Sequence, residues 1–365
     1  MASAAFPPPA AKDAPVALLV DLTAGGQVLF AREAEGAFLP ASITKVMTAY
    51  VAFEAIRAGR LREDQVLVAR PETVAKWAWK GTTMRLEPGQ AVRVGDLLSG
   101  IAIASANDGA AVLAEGAAGS VEAWVALMNA EAMRLGMKGS RFGTPNGWPD
   151  QGVTRVTPRD LVRLTDALVH RHPQLYRRYF GRSAFTFNSA VLKNHDPTLG
   201  LVAGADGIKT GHTFEAGYTF LGSAQRNGRR LVVVTGRSWS TDGRARAARD
   251  LLEWGFTAWD SRQLIHAGQI VGEARVQQGD ARSVALTTPR GYTLAVPKGS
   301  NARPVTRVRY DGPLRAPLAK GARVAVLEIE TSAAAPVVVP LYAAEAVGRA
   351  GPLDRLVNGL VGLFT

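Results

Sequence analysis

Cysteine is absent from this chain of 365 residues, which rules out disulfide frameworks, zinc–thiolate sites and thiol catalysis. That absence does not fix a compartment, since exported bacterial proteins often lack cysteine as well. Histidine is scarce, at 5 residues. His170 and His172 are separated by an arginine with no third ligand in view, so no metal site is expected. No apolar run approaches the ~18 residues needed to span a bilayer, and the chain is expected to be soluble or peripheral to a membrane. Residues 1–15 (MASAAFPPPAAKDAP) lack the basic flank and apolar core of a secretory signal and read as a disordered lead-in. Acidic residues are in the minority, with Asp+Glu 31 against Lys+Arg 43 and a net charge of +12. This balance suits nucleic acid, an anionic membrane surface or an acidic polymer. The bases are scattered and not interleaved with aromatics, so nucleic-acid binding is not expected.

What is present is an ordinary globular composition, 47% hydrophobic and 20% charged, on a chain long enough for about two domains. VALLVDLTAGGQVLF, from Val16, reads as a hairpin of two largely buried strands around a Thr-Ala-Gly-Gly turn. A core helix follows from the Ser42 region to about Ala58, with Gly59 as its stop. Alanine-rich stretches between Gly95 and Gly147 read as helices broken by glycines. Residues 157–170 form a helix with a threonine cap and proline at its first position. Short β-rich runs at 207–211, 217–225 and 230–236 predict an antiparallel sheet, with the first of them as an inner strand, and a helix covers 245–256. Beyond about Asp260 short alternating strands predict a small β-sandwich. The domain reading is therefore 16–261, 262–340 and a terminal segment 341–365. In that segment, 351–365 carries a weak amphipathic stripe that reads either as an interfacial membrane contact or as a helix packed on its own domain.

Three motifs, each occurring once, carry the chemistry: Ser42-Ile43-Thr44-Lys45, Ser105-Ala106-Asn107 and Lys209-Thr210-Gly211. On a helix, positions i and i+3 share a face, which brings the Ser42 hydroxyl within reach of the Lys45 amine. A lysine acts as a base only when neutral, and burial beside a second cation, Lys209, disfavours its charged form. Ser105 and Asn107 flank one residue in a small-residue turn, which suits proton relay and binding of a substrate amide. Gly211 permits close backbone approach, so an extended peptide can pair along that strand, and the amides of Ser42 and His212 would form an oxyanion hole. Singly the motifs are weak, because a surface lysine, a helix cap or a strand end explains each of them. The trio in order, on a buried helix, between helices and on a strand, is much stronger.

This trio is the signature of penicillin-binding proteins and class A β-lactamases. The stretches LPASITKVMTAY, GTTMRLEPGQAVRVGDLLSGIAIASANDGAAVLAE, MNAEAMRLGMKGSRFGTPNGWPD and GADGIKTGHTFEAGYTFLGSA closely resemble the low-molecular-mass D-alanyl-D-alanine carboxypeptidases. The resemblance extends from about Ala17 over nearly the whole chain. It implies an α+β fold, with a serine β-lactamase/transpeptidase-like domain of antiparallel sheet and helical cluster, then a β-rich domain and often a C-terminal amphipathic helix. It further implies removal of the terminal D-alanine from peptidoglycan stem pentapeptides through a Ser42 acyl-enzyme, acylation of the same serine by β-lactams, and no cofactor or metal. An exported, periplasmic location near the outer face of the inner membrane goes with it.

Gly243-Arg244 followed by Leu251-Leu252-Glu253-Trp254-Gly255-Phe256 matches a family segment, so Arg244 is a candidate for the substrate's terminal carboxylate, the alternative being an exposed helix-start arginine. Thr210 and Thr213 are hydroxyl candidates, and His212 is assigned to the wall of the site. Phe214 departs from the polar or acidic residue usual there. A D,D-endopeptidase uses the same trio and stays open as an alternative, as does a non-catalytic penicillin-binding wall module. A β-lactamase is disfavoured, because no acidic deacylation residue is evident.

Overall fold

The computed structural model describes residues 8–9, 13–300, 303–330 and 336–351. They divide into two compact units. The larger is formed by Pro8–Leu22 with Leu29–Phe256, the smaller by Thr23–Val28 with the described residues from Thr257 onward.

In the larger unit the strand Val16–Asp21 is buried at every position. Its sequence VALLVD is apolar without alternation because both faces are covered. It pairs antiparallel with Arg229–Ser238, that strand with Gly217–Arg226, and that one with Ala205–Thr213. Asn227 and Gly228 join two of these strands with φ of 49° and 79°, the backbone a tight hairpin turn needs. The sheet ends on Ala205–Thr213, which corrects the expectation of an inner strand. Residues 207–211 are buried like an inner strand, but other elements supply that burial, and one hydrogen-bonding side stays without a strand neighbour.

The expected core helix runs Thr44–Arg57, buried from Thr44 through Glu54, and is entered through a 3-10 turn, Ala41–Ile43, that carries Ser42. Val94–Ser99 continues into a π-helical turn, Gly100–Ala104, that ends at Ser105 in the left-handed conformation, φ 62°. Such turns interrupt a helix where a side chain must be re-aimed. The helices Asn107–Ala118 and Val121–Arg134 follow. Thr157 caps Pro158–Arg171 as expected, its Oγ1 accepting from the Asp160 amide at 3.2 Å. The last helix among the described residues, Thr241–Thr257, begins four residues earlier than the expected Ala245, because Ser240 Oγ accepts from the Gly243 amide at 3.0 Å. Arg244 thereby falls in its first turn.

Residues 1–15 are not wholly a loose lead-in: Ala14 is buried, and Asp13 pairs with Arg246 at 3.1 Å. The smaller unit is β-rich, with a two-stranded and a six-stranded sheet sharing one core through Ile265, Leu286, Leu294, Leu327 and Leu341. Its six-stranded sheet is mixed, since Val276–Gln277 pairs parallel with Leu314–Arg315. The amphipathic stripe expected at 351–365 lies, beyond Gly351, outside the described residues.

Candidate active site

Ser42 is half-buried between the buried Ala41 and Ile43. One turn on, Lys45 is 1% exposed, and its Nζ donates to Ser42 Oγ at 2.8 Å, Asn107 Oδ1 at 2.7 Å and the Asn146 carbonyl at 2.8 Å. An ammonium fills all of these acceptors. A neutral amine has two hydrogens, which the two carbonyl oxygens accept, and its lone pair is left facing the Ser42 hydroxyl. Burial holds Lys45 well below the usual lysine range, the Lys209 cation acts in the same direction, and Asp108 opposes both.

Asn107 is held at both ends of its amide, because Nδ2 donates to the Lys80 carbonyl at 2.8 Å. Ser105, two residues before it, is also buried. Asp108 accepts from the amides of Met84 at 2.9 Å, Leu86 at 3.2 Å and Gly109 at 2.8 Å. It ties the segment that includes Lys80 to the helix that carries Asn107.

Across from Ser42 lies the edge strand. Lys209 is 3% exposed and donates to the Thr210 carbonyl at 3.0 Å. Burial lowers its pKa to about 7, helped by the Arg244 cation and opposed by Asp196. Thr210 is buried. A Cβ on Gly211 would lie 2.4 Å from the Pro40 carbonyl oxygen, 2.4 Å from Thr219 Oγ1 and 3.1 Å from the Ser42 amide. The close approach that requires glycine is therefore made by the nucleophile's own turn, rather than by substrate as expected. His212 is exposed and stacks on Tyr218 at 4.0 Å. Thr213 Oγ1 accepts from the Ala216 amide at 3.1 Å, and Phe214 beyond it is 98% exposed.

Arg244 is buried rather than exposed: its guanidinium sits 5.6 Å from the Tyr218 ring centroid, and its Nε has no hydrogen-bond partner. Burial pulls its pKa down, yet arginine keeps its charge in proteins. A buried guanidinium with an unused donor is costly until an anion arrives. Lys45 thus links Ser42 to Asn107, two residues beyond the buried Ser105, and Lys209, Thr210 and Gly211 lie on the strand beside the Ser42 turn. Residues the sequence reading missed are Asn146, Asp108, Asp196 and Gly147, where a Cβ would lie 1.8 Å from the Ala41 carbonyl oxygen. The Pro145-Asn146-Gly147 run carried only a turn signal. His172 lies apart from this site, buried with Nε2 2.9 Å from Glu54 Oε1.

A half-buried serine hydroxyl against a buried lysine whose pKa is lowered, beside buried Lys209 and Arg244 at a sheet edge, defines a serine-type hydrolase of penicillin-binding architecture. Residues 2–237 match the family model described as D-alanyl-D-alanine carboxypeptidase, and 259–349 match the penicillin-binding protein 5 C-terminal domain. The chain belongs to the D-alanyl-D-alanine carboxypeptidase family. It is 33% identical to the D-alanyl-D-alanine carboxypeptidase DacD of Salmonella typhimurium over 360 residues, covering 96% of this chain and 90% of that one. It is 31% identical to DacA of Haemophilus influenzae, covering 95% and 90%. The crystal structure of penicillin-binding protein 5 from Haemophilus influenzae superimposes with a TM-score of 0.84 at 29% identity, covering 94% of this chain and 99% of that one. Penicillin-binding protein D2 from Listeria monocytogenes, solved with ampicillin bound, superimposes with a TM-score of 0.60 at 29% identity over 67% and 98%.

Proposed function

We propose that this chain removes the terminal D-alanine from peptidoglycan stem peptides through an acyl-enzyme on Ser42. The observation that carries the reading is the Lys45 amine, buried and 2.8 Å from Ser42 Oγ with two carbonyls to hold its remaining hydrogens. Ser42 Oγ attacks the carbonyl carbon of the penultimate D-alanine while its proton passes to Lys45. The amides of Ser42 and His212 take the oxyanion. The C–N bond then breaks, and the departing D-alanine amine takes a proton relayed through Ser105. Water completes hydrolysis of the ester with Lys45 again as base. Asn107 holds the substrate amide, while Lys209, Thr210 and Arg244 receive the terminal carboxylate. β-Lactams acylate Ser42 in the same way.

We place the activity outside the cytoplasmic membrane, at the wall, with 351–365 as a peripheral membrane contact. We read residues 16–261 as the catalytic domain and 262–340 as its β-rich companion. The test is release of free D-alanine from a D-Ala-D-Ala-terminated peptide, together with covalent labelling by a fluorescent penicillin. Wild type gives both, and Ser42→Ala and Lys45→Met give neither while remaining folded. No release from folded wild type refutes the enzymatic reading, and normal labelling of Lys45→Met refutes the base.

A further inference from the structure

Two hollows adjoin in the larger unit. One, of about 340 Å³, is lined by Pro40 and Ala41, immediately before the nucleophile, and by Gly147, Trp148 and Thr213. The other, of about 270 Å³, is lined by Phe38, Ala216, Arg155 and Arg237. Leu39, Gly152 and Glu215 line both, so together they make one groove that starts at the Ser42 turn.

The fold aims the two arginines. Tyr218 pairs with Ser238 but Phe220 with Thr235, so Gly236 and Arg237 stand opposite Thr219 alone, and the strand bulges there. Arg237 takes the left-handed conformation at this bulge, φ 58°, which is unfavourable for a large side chain. Bulges redirect a side chain out of the pleat, and this one sends Arg237 to the groove, where its Nη2 donates to the Ala37 carbonyl at 3.1 Å. Arg155 is fixed from its backbone, exchanging hydrogen bonds of 2.8 and 2.9 Å with Arg141. Among the described residues neither arginine meets a carboxylate within ion-pair distance. Glu215 sets one negative charge against the two positive ones in the far hollow, while Asp150, whose carboxylate accepts from the Thr154 amide at 3.0 Å and from its hydroxyl, lines the near one, so the positive charge lies at the far end.

Lys209 and Arg244, in the proposed function, hold the departing end of the substrate. The acyl half must then leave the reacting carbonyl in the other direction along the edge strand, toward Thr213 and the groove. We infer that this groove receives the acyl half of the peptide, and that Arg155 and Arg237 bind a free carboxylate carried two to three residues before the scissile bond. An extended chain covers about 7–11 Å over that interval. The inference rests on the carboxypeptidase reading for its direction.

The test uses pairs of peptides ending in D-Ala-D-Ala that differ only in a side-chain carboxylate or its amide, placed at the second residue before the scissile bond in one pair and at the third in the other. D-Alanine release is measured, and separately the protection of Ser42 from a fluorescent penicillin, which needs no turnover. Wild type should favour the acid over the amide by about fivefold in both readouts. The preference should fall toward unity in R155Q/R237Q and at about 0.5 M salt, and R155K/R237K should retain most of it. Penicillin acylation without peptide is measured in every variant, and each acid-to-amide ratio is taken within one variant, so that a change in acylation common to both peptides cancels. Equal treatment of acid and amide by wild type, or an undiminished preference in R155Q/R237Q, overturns the assignment. An arginine-dependent preference in protection without any D-alanine release would support the groove and count against the carboxypeptidase reading.

Discussion

Gly211→Ala adds one methyl group at the place where the edge strand meets the nucleophile's turn. The new carbon would lie 2.4 Å from both the Pro40 carbonyl oxygen and Thr219 Oγ1. Those atoms are themselves hydrogen-bonded at 3.0 Å, so the methyl wedges between a bonded pair and one of the two must move. The backbone oxygen belongs to the turn that holds Ser42, and relief of the clash displaces the nucleophile and its amide. Overpacking of this kind costs about 1–3 kcal/mol, or ~2–12 °C in the melting temperature of a unit this size. Function suffers more, since a displacement of ~1 Å at a reacting centre lowers rate on the order of 100-fold. The assay pairs a thermal melt with the second-order rate of acylation by a fluorescent penicillin. Gly59→Ala is the matched control: its φ is +70° with nothing within 4 Å, so it costs about 1–2 kcal/mol of backbone strain far from the chemistry. Gly59→Ala should melt early and acylate normally, whereas Gly211→Ala should melt early and acylate slowly. Wild-type acylation by Gly211→Ala would refute the claim that this contact positions Ser42.

Lys209 makes stability depend on pH. The unfolded chain holds its proton up to 10.5, while the buried residue loses it at about 7. Between those values the unfolded state binds the extra proton, so this group's contribution to stability rises with pH across that window and is least favourable below about 7. Lys209→Met removes the penalty, which at ~1.36 kcal/mol per unit amounts to roughly 2–5 kcal/mol. Its melting temperature should exceed wild type by about 5–15 °C at pH 6, with the gap closing toward pH 10. A gap that does not depend on pH rejects the linkage. Arg244→Gln removes one of the two basic partners of the terminal carboxylate and leaves Lys209, a loss of about 1.5–3 kcal/mol, so kcat/KM should fall roughly 10- to 100-fold. A substrate with an amidated C terminus should be affected far less, and equal loss on both substrates would deny Arg244 that role.

Much of this was readable from residue spacing. Ser42 and Lys45 one turn apart, the threonine cap at 157 and the Asn227-Gly228 turn are local patterns, and local patterns fix local geometry. What escaped depended on contacts between distant segments. The run of buried residues 207–211 reads as an inner strand because burial leaves the same trace in sequence whether a strand or the turn that carries Ser42 supplies the cover. Arg244 reads either as a carboxylate partner or as an exposed arginine at a helix start, and only the fold, which sets it against Tyr218 and Lys209, decides between burial and exposure. Asn146 contributes a backbone carbonyl to Lys45, a role open to any residue type and so silent in sequence. Asp196 is an acidic side chain brought near Lys209 and Arg244 only by the fold.

Proteins usually hide or blunt the last strand of a sheet, because its unpaired amides and carbonyls recruit other chains. Here Ala205–Thr213 is that last strand, buried from Gly207 to Gly211 yet, among the described residues, without a strand partner on one side. A row of backbone groups reads the shape of an extended peptide and little of its side chains, so the basic pair Lys209 and Arg244 is left to sort what docks there by charge. Inhibition then has a route that needs no strained ring. A short strand mimic with an anion at one end could occupy the same row reversibly, and enzyme altered at Ser42 would still bind it.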